Sequence, residues 1–274
     1  MRIPRLKIKE SAVYHCTSRI LEDRKLLDDT CKDHVRANVY KWADFCGVQI
    51  LAFCILDDHH HILVRVNPQT NLGSREIDRR FRLVNSHLPN KINAWENALE
   101  NKESEAINSL TLRMGDVSQF LKELKQSITP WINAYHKRRG PLWFHRFNSV
   151  LIEDQPEIIN TVAAYIDLNP VRAGLVKKPS SFPWCTSGHL HGSRLEHKKI
   201  LQNHLANISS PLNHRIPAFT LGKILGTPGF VLEKRKVLPG KYRPGKRKYA
   251  VPVQGLKAEL FTSHANPRLE RIVA

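Results

Sequence analysis

The sequence has no long hydrophobic run. Its longest apolar stretch, Ile50 to Leu56, falls far short of the roughly 18 to 20 residues that a bilayer span needs, and Arg2, Arg5, Lys7 and Lys9 break up any signal-like start. The expectation is a soluble, cytoplasmic chain without a membrane partner. Paired cysteines are also missing. Cys16, Cys31, Cys46, Cys54 and Cys185 are odd in number and never spaced as CxxC, which argues against a disulfide framework or a zinc knuckle and for reduced core residues. With no HExxH and no phosphate-cradling glycine loop, metalloprotease and nucleoside triphosphatase readings fail, and Leu63 stands where a histidine-triad hydrolase needs histidine. Acidic residues are too few to balance the basic ones: 25 Asp and Glu against 43 Lys and Arg in 274 residues leave a net charge of +18 and a pI near 9.9. Such an excess predicts a polyanionic partner, most often nucleic acid, because each neutralised phosphate releases counterions. The surplus is uneven, with 16 Lys and Arg against 4 Asp and Glu in residues 188–274.

Ala12 to Thr17 is short and β-branched and reads as a strand. Thr30 with Asp33 resembles a capping box, and Cys31, Val35, Val39, Trp42 and Cys46 then recur at helical spacing. Val48 to Leu56 and His61 to Val66 are strand-like, with Asp57 and Asp58 as turn formers between them, so a hairpin is expected. Residues 67–112 form a polar insertion with helical patches. A helix from Asp116 to about His136 buries Phe120, Leu121, Leu124 and Ile128, with a kink expected at Pro130. Arg146 to Ile152 is a further strand, and Asp154 with Glu157 caps a helix that Pro170 should end near Asn169. The order β, α, β, β, α, β, α predicts an α+β fold, a ferredoxin-like split βαβ sandwich with an antiparallel sheet. Residues 1–187 would form this domain. Residues 188–274 would be a basic, mostly irregular or helical extension, with a conceivable helix-turn-helix near Phe219 to Lys236 and a basic Pro/Gly-containing arm at 234–248.

Three consecutive histidines open the second hairpin strand. Strand side chains alternate faces, so His59 and His61 project together and His60 points the other way, giving a two-imidazole clamp suited to a divalent ion. In Tyr165-Ile166-Asp167-Leu168-Asn169-Pro170, Tyr165 and Asn169 lie one helical turn apart at the border of the stripe made by Ile158, Val162 and Ile166. If that helix packs near the histidine strand, Asn169 can offer an amide oxygen to the same ion, with Tyr165 beside whatever the ion polarises.

His59-x-His61, then Gly140-Pro141-Leu142-Trp143 with Arg146-Phe147, then Tyr165 through Val176, together resemble the single-tyrosine HUH transposases and their REP-associated tyrosine transposase branch. The resemblance runs from about Pro4 to Trp184 and includes Tyr14-His15 and Ser18-Arg19. It implies the same sandwich fold and cleavage and rejoining of single-stranded or hairpin-containing DNA, with inverted-repeat ends as substrate. His59, His61 and Asn169 would hold Mg²⁺ or Mn²⁺, and Tyr165 would be the nucleophile that forms a 5′-phosphotyrosine. The position between the histidines, usually bulky and apolar in that family, is His60, and Asp57-Asp58 replaces the usual Pro-Asn. Asp58 would orient an imidazole from outside the coordination sphere. Such a protein would work at the nucleoid as a monomer or homodimer.

Lys122, Lys125, Arg138, Arg139, Arg146 and Arg172 flank the expected site as DNA contacts. Lys234, Arg235, Lys236, Lys246, Arg247 and Lys248 would add affinity that is independent of base sequence. Two other readings compete: a domesticated DNA-binding protein of the same fold without catalysis, and a metal-free two-histidine phosphoesterase built on His15-x-Thr17 and His191-x-Ser193.

Overall fold

The computed structural model describes residues 10–67, 72–101, 104–189, 214–237, 251–253 and 260–263, together with Leu6, Ile8 and Leu212. Strand β1 (Ala12–Arg19), helix α1 (Asp29–Cys46), β2 (Val48–Ile55) and β3 (His59–Val66) come first. The insertion follows as α2 (Ser74–Asn85), α3 (Pro89–Glu100) and α4 (Ser104–Thr111). Helix α5 (Val117–Tyr135), β4 (Asn148–Ile152), α6 (Pro156–Asp167), α7 (Asn169–Arg172) and α8 (Thr186–His189) complete the expected order.

These strands pair as β2-β3-β1-β4, every pair antiparallel, which is the sheet order of a ferredoxin-like split βαβ unit. Strand β1 lies between β3 and β4. Its register sets Thr17 opposite His61 and Arg19 opposite His59, so these residues share one face. Leu56 donates its N–H to the His59 carbonyl at 2.8 Å, which leaves Asp57 and Asp58 as the turn between β2 and β3.

Each face of the sheet buries its own apolar cluster. Under α1 and α5 lie Tyr14, Cys16, Phe53, Ile62 and Val64; under α6 lie Val13, Leu63, Val150 and Ile152. Helix α6 buries Ile158, Ile159, Val162, Ala163, Ala164, Tyr165 and Ile166, more than one stripe. A helix buried that widely is covered on two sides, here by the sheet and by a segment from beyond residue 187. In that segment the short helix Pro217–Leu221 precedes β5 (Ile224–Gly226), which pairs parallel with β4. Helix Pro228–Arg235 follows, then β6 (Val251–Pro252) and β7 (Phe261–Thr262), which extend the same sheet. Gly226 is needed where the segment docks. A Cβ there would lie 2.6 Å from a Glu153 carboxylate oxygen, and that carboxylate accepts the Thr227 N–H at 2.5 Å.

Several local expectations are corrected. Strand β5, from the 188–274 segment expected to be irregular or helical, pairs with β4 and so joins the sheet. No helix-turn-helix forms at 219–236, since a strand separates the two helices. The N-cap of α1 is Asp28, whose carboxylate accepts the Cys31 N–H at 2.8 Å; Thr30 already lies inside the helix. Gln155 precedes α6, while Asp154 is engaged by Arg65 at 2.6 Å. Helix α6 does end near Asn169, at Asp167, as expected before Pro170. Leu168 stays right-handed, and Pro170 sits in the first turn of α7, where its missing N–H costs nothing. All five cysteines are buried and none is in a disulfide. No helix among the described residues is long and apolar enough to cross a membrane.

Candidate active site

His59 opens β3 at the hairpin turn, and strand alternation carries His61 to the same face while His60 enters the opposite core. His59 is part-exposed, whereas His60 and His61 are buried. His59 and His61 meet edge to face, with ring centroids 5.1 Å apart. Both line a cleft of about 560 Å³ whose wall also includes Thr17, Arg19, Tyr165 and Asn169.

The hydrogen bonds of the two rings determine which nitrogen is available. The Nδ1 of His59 lies 2.6 Å from Asp58 Oδ1; a carboxylate can only accept, so Nδ1 carries the hydrogen and Nε2 keeps its lone pair in the neutral ring. Burial pushes the Asp58 carboxyl upward, but the His59 hydrogen bond and the charges of His59 and Arg19 outweigh it and hold the group below its ordinary range. Arg19 Nη1 is 3.6 Å from the other Asp58 oxygen. The Asp58 carboxylate therefore stays charged and aimed at the imidazole.

His61 is served by a residue from β1. His15 Nδ1 lies 2.6 Å from the Phe219 carbonyl oxygen, and its Nε2 is 3.0 Å from His61 Nδ1. The carbonyl forces the His15 hydrogen onto Nδ1, so neutral His15 accepts from His61 Nδ1, and the lone pair of His61 is again on Nε2. Both rings are neutral at ordinary pH. Burial lowers His15 to about 4 despite the Phe219 hydrogen bond, and burial followed by the neighbouring His15 lowers His61 well below its usual value.

Asn169 donates its amide nitrogen to the carbonyls of Ile166 at 2.9 Å and Tyr165 at 3.4 Å, leaving its amide oxygen as the polar atom not used by the helix. Tyr165 is only 2% exposed. Its ring packs edge-on to Phe219 at 4.8 Å and to His15 at 6.5 Å. The Arg172 guanidinium covers it, with Cζ 4.0 Å from the ring centroid. Two imidazole nitrogens and one amide oxygen around one cleft form a donor set that fits a divalent ion accepting mixed nitrogen and oxygen ligands.

The expected DNA contacts separate into groups. Arg146 lines the cleft and also a second groove of about 370 Å³ along α5, beside Lys122 and Lys125. Lys125 donates to the His145 carbonyl at 3.1 Å and lies over the Trp143 ring. Phe144, half exposed, is on the cleft wall. Arg172 does not present its guanidinium as a simple phosphate contact: it donates to the Leu212 and Tyr165 carbonyls at 2.6 Å each. Arg138 braces its own turn through Asn133 and the Pro141 carbonyl, and neither it nor exposed Arg139 lines the cleft. Lys234 pairs with Glu233, Arg235 is buried, and Lys236 is exposed. Burial removes Arg235 from the phosphate-binding surface. Lys246, Arg247 and Lys248 lie outside the described residues, as does His191 of the phosphoesterase reading.

A second group of ligand-type side chains, Asp28, Cys31 and His136, lies together elsewhere. Asp28 caps α1, and His136 Nε2 is 2.7 Å from the Leu26 carbonyl, so that nitrogen carries a hydrogen. Burial, then Asp28, pushes the Cys31 thiol up to about 12. The group is a hydrogen-bonded staple between α1 and α5.

Sequence reasoning did not assign Phe219 to the site, nor His15 a role beside His61. A histidine in phase with Thr17 and Arg19 on an otherwise apolar strand was the available signal for His15. Phe219 acts partly through its backbone carbonyl, which no side-chain pattern reveals.

Residues 8–97 match the model of a family described as "Transposase IS200 like". Among solved structures, a REP-associated tyrosine transposase bound to a REP hairpin is similar, at 17% identity and a TM-score of 0.45, over 78% of this chain and 91% of that one. A putative transposase from Deinococcus radiodurans is similar at 14% identity and a TM-score of 0.28, over 56% of this chain and 88% of that one. No curated protein sequence matches.

Proposed function

We propose, on the premise that this chain is a relative of the IS200-like transposases, that it cuts and rejoins single-stranded or hairpin-containing DNA with Tyr165 as nucleophile. The observation that carries this reading is that Tyr165, Asn169, His59 and His61 line one cleft although about a hundred residues of sequence separate the histidines from the tyrosine. His59 and His61 through Nε2 and Asn169 through its amide oxygen would hold Mg²⁺ or Mn²⁺. Bound there, the ion supplies Lewis-acid stabilisation of charge on a non-bridging phosphate oxygen.

The protein's own groups account for the rest. The phenol oxygen of Tyr165 attacks phosphorus, an O–P bond forms, and the bond from phosphorus to the 3′ oxygen breaks. The phenol proton is balanced by the proton gained at the departing 3′-hydroxyl, and the 5′ side remains attached to Tyr165. Because one ester replaces another, reversal rejoins a strand without a nucleotide cofactor. The Arg172 guanidinium against the phenol ring favours the negative charge that develops as the proton leaves. Arg146, Lys122 and Lys125 provide a cationic path out of the cleft along α5, and Phe144 offers a face on which an unpaired base can stack.

The burial of Tyr165 favours one competing reading, a DNA-binding protein of the same fold without catalysis. Incubation of labelled single-stranded hairpin oligonucleotides with the protein and Mn²⁺ separates the two. The transferase forms a covalent adduct that resists denaturant and is lost in Tyr165→Phe and on chelation. A binder retards the DNA equally in wild type and variant and yields no adduct.

A further inference from the structure

The histidine at position 15 belongs to neither the ligand set nor the nucleophile, yet it joins them. It is 1% exposed on β1, between β3 and β4. Its ring stacks on His61 with centroids 5.1 Å apart and planes 25° from parallel. One nitrogen meets the Phe219 carbonyl at 2.6 Å and the other meets His61 Nδ1 at 3.0 Å. On its far side the same segment reaches the nucleophile: the Phe219 ring lies against Tyr165, and the Leu212 carbonyl accepts from the Arg172 guanidinium that covers the Tyr165 ring.

We propose that His15 is a positioning residue for His61, and that the Phe219 backbone carbonyl, delivered by the C-terminal segment, sets the hydrogen-bond direction of this relay so that His61 presents Nε2 to the cleft. The proposal rests on the assignment of His61 as a metal ligand. It gives the C-terminal segment a part in building the site in addition to any contact with DNA. A ligating imidazole whose other nitrogen is held by a buried acceptor has one orientation and one tautomer, and loss of such an outer partner typically weakens metal binding by about 10–100-fold. The segment is fixed in place by β5 on β4 and by the Glu153 carboxylate on Thr227, so the Phe219 carbonyl is a rigid reference point.

Three substitutions at position 15 test the relay. His15→Gln places an acceptor where Nε2 was, so it retains the bond to His61. His15→Asn places a donor where Nδ1 was and retains only the bond to Phe219. His15→Leu retains neither. The first readout is the tautomer of His61 in metal-free protein, from long-range ¹⁵N–¹H correlations of its ring. The expected result is an Nδ1–H form in wild type and His15→Gln, and a mixture or the other tautomer in His15→Asn and His15→Leu. The second readout is Mn²⁺ affinity, from the electron paramagnetic resonance of free Mn²⁺. His15→Asn and His15→Leu should bind roughly 10–100-fold more weakly, with His15→Gln within a few-fold of wild type. An unchanged His61 tautomer in His15→Leu, or, where wild type binds Mn²⁺, an affinity equal to wild type in all three variants, overturns the proposal. If wild type binds no Mn²⁺ beyond a His59→Ala control while the tautomers respond as expected, the metal assignment fails and the relay stands as a hydrogen-bond chain alone. Comparison of Gln with Asn keeps the test decisive even if the leucine variant does not fold.

Discussion

His60 and His61 are neighbours on one strand, both buried, and they lead opposite lives. His61 faces α6, where His15 accepts its hydrogen, and it lines the cleft. His60 faces α5, edge-on to Trp143 at 5.4 Å, and neither of its ring nitrogens has a hydrogen-bond partner. The two faces of this sheet therefore do different work. The α1/α5 face is largely an apolar core in which a histidine without a hydrogen-bond partner is a liability, and the α6 face holds His15 and His61 in hydrogen bonds beside the cleft. The difference teaches that residue type and burial do not identify a site; partnered nitrogens do.

The largest expected effect breaks the polar face directly. His61→Ala should reduce metal-dependent strand cleavage by more than the roughly 10–100-fold typical of an outer partner, because it removes a proposed ligand. Single-turnover cleavage with saturating DNA measures this. Asp58→Asn should fall inside that window and appear mainly as weaker Mn²⁺ affinity, since the amide no longer holds the His59 hydrogen with a full charge.

The other face should respond with the opposite sign. His60→Leu replaces two unsatisfied buried nitrogens with a hydrocarbon of similar size, so it should raise unfolding stability by about 1–3 kcal/mol and leave cleavage unchanged. Urea denaturation reads the gain. The same substitution should also flatten the acid limb. Burial pushes His60 down to about 3, followed by the charges of Lys125 and His59. The unfolded chain therefore takes up a proton below the ordinary histidine pKa that the folded chain refuses, and stability falls as the pH drops through that window. Between pH 7 and pH 5 this one residue costs wild type about 2 kcal/mol that His60→Leu would keep. The smallest effect concerns the surface. Lys122→Ala should lower DNA affinity uniformly across sequences and reduce the slope of log affinity against log salt by roughly 1, as fluorescence anisotropy would show.

Much of this comparison is legible in the sequence alone. Period-two alternation alone separates His59 and His61 from His60, and helical spacing alone puts Tyr165 beside Asn169. The hairpin and the order of the first four strands follow from short β-branched runs between turn residues. Capping was harder to read, because Asp28, Thr30 and Asp33 all offer side-chain oxygens and only the backbone path decides which one accepts. The C-terminal segment was hardest. A three-residue strand such as Ile224–Gly226 has too few side chains to show a period, and its place in the sheet depends on pairing with β4. The contribution of Phe219 passes partly through a carbonyl that every residue possesses. Arg235 was misread for a related reason: in a run of three basic residues, helix geometry turns one inward.

The central claim is that the Tyr165 phenol and the two cleft-lining imidazoles of β3 act on one phosphate. The most direct test is to trap the reaction of wild-type protein with Mn²⁺ and single-stranded hairpin DNA, digest the adduct, and locate the modified residue by mass spectrometry. The account predicts a phosphoryl group on Tyr165 joined to the 5′ side of the cut strand, with a free 3′-hydroxyl on the other fragment. A modification on Tyr14, Tyr40, Tyr135, Tyr242 or Tyr249, or cleavage that leaves no residue modified, would contradict it.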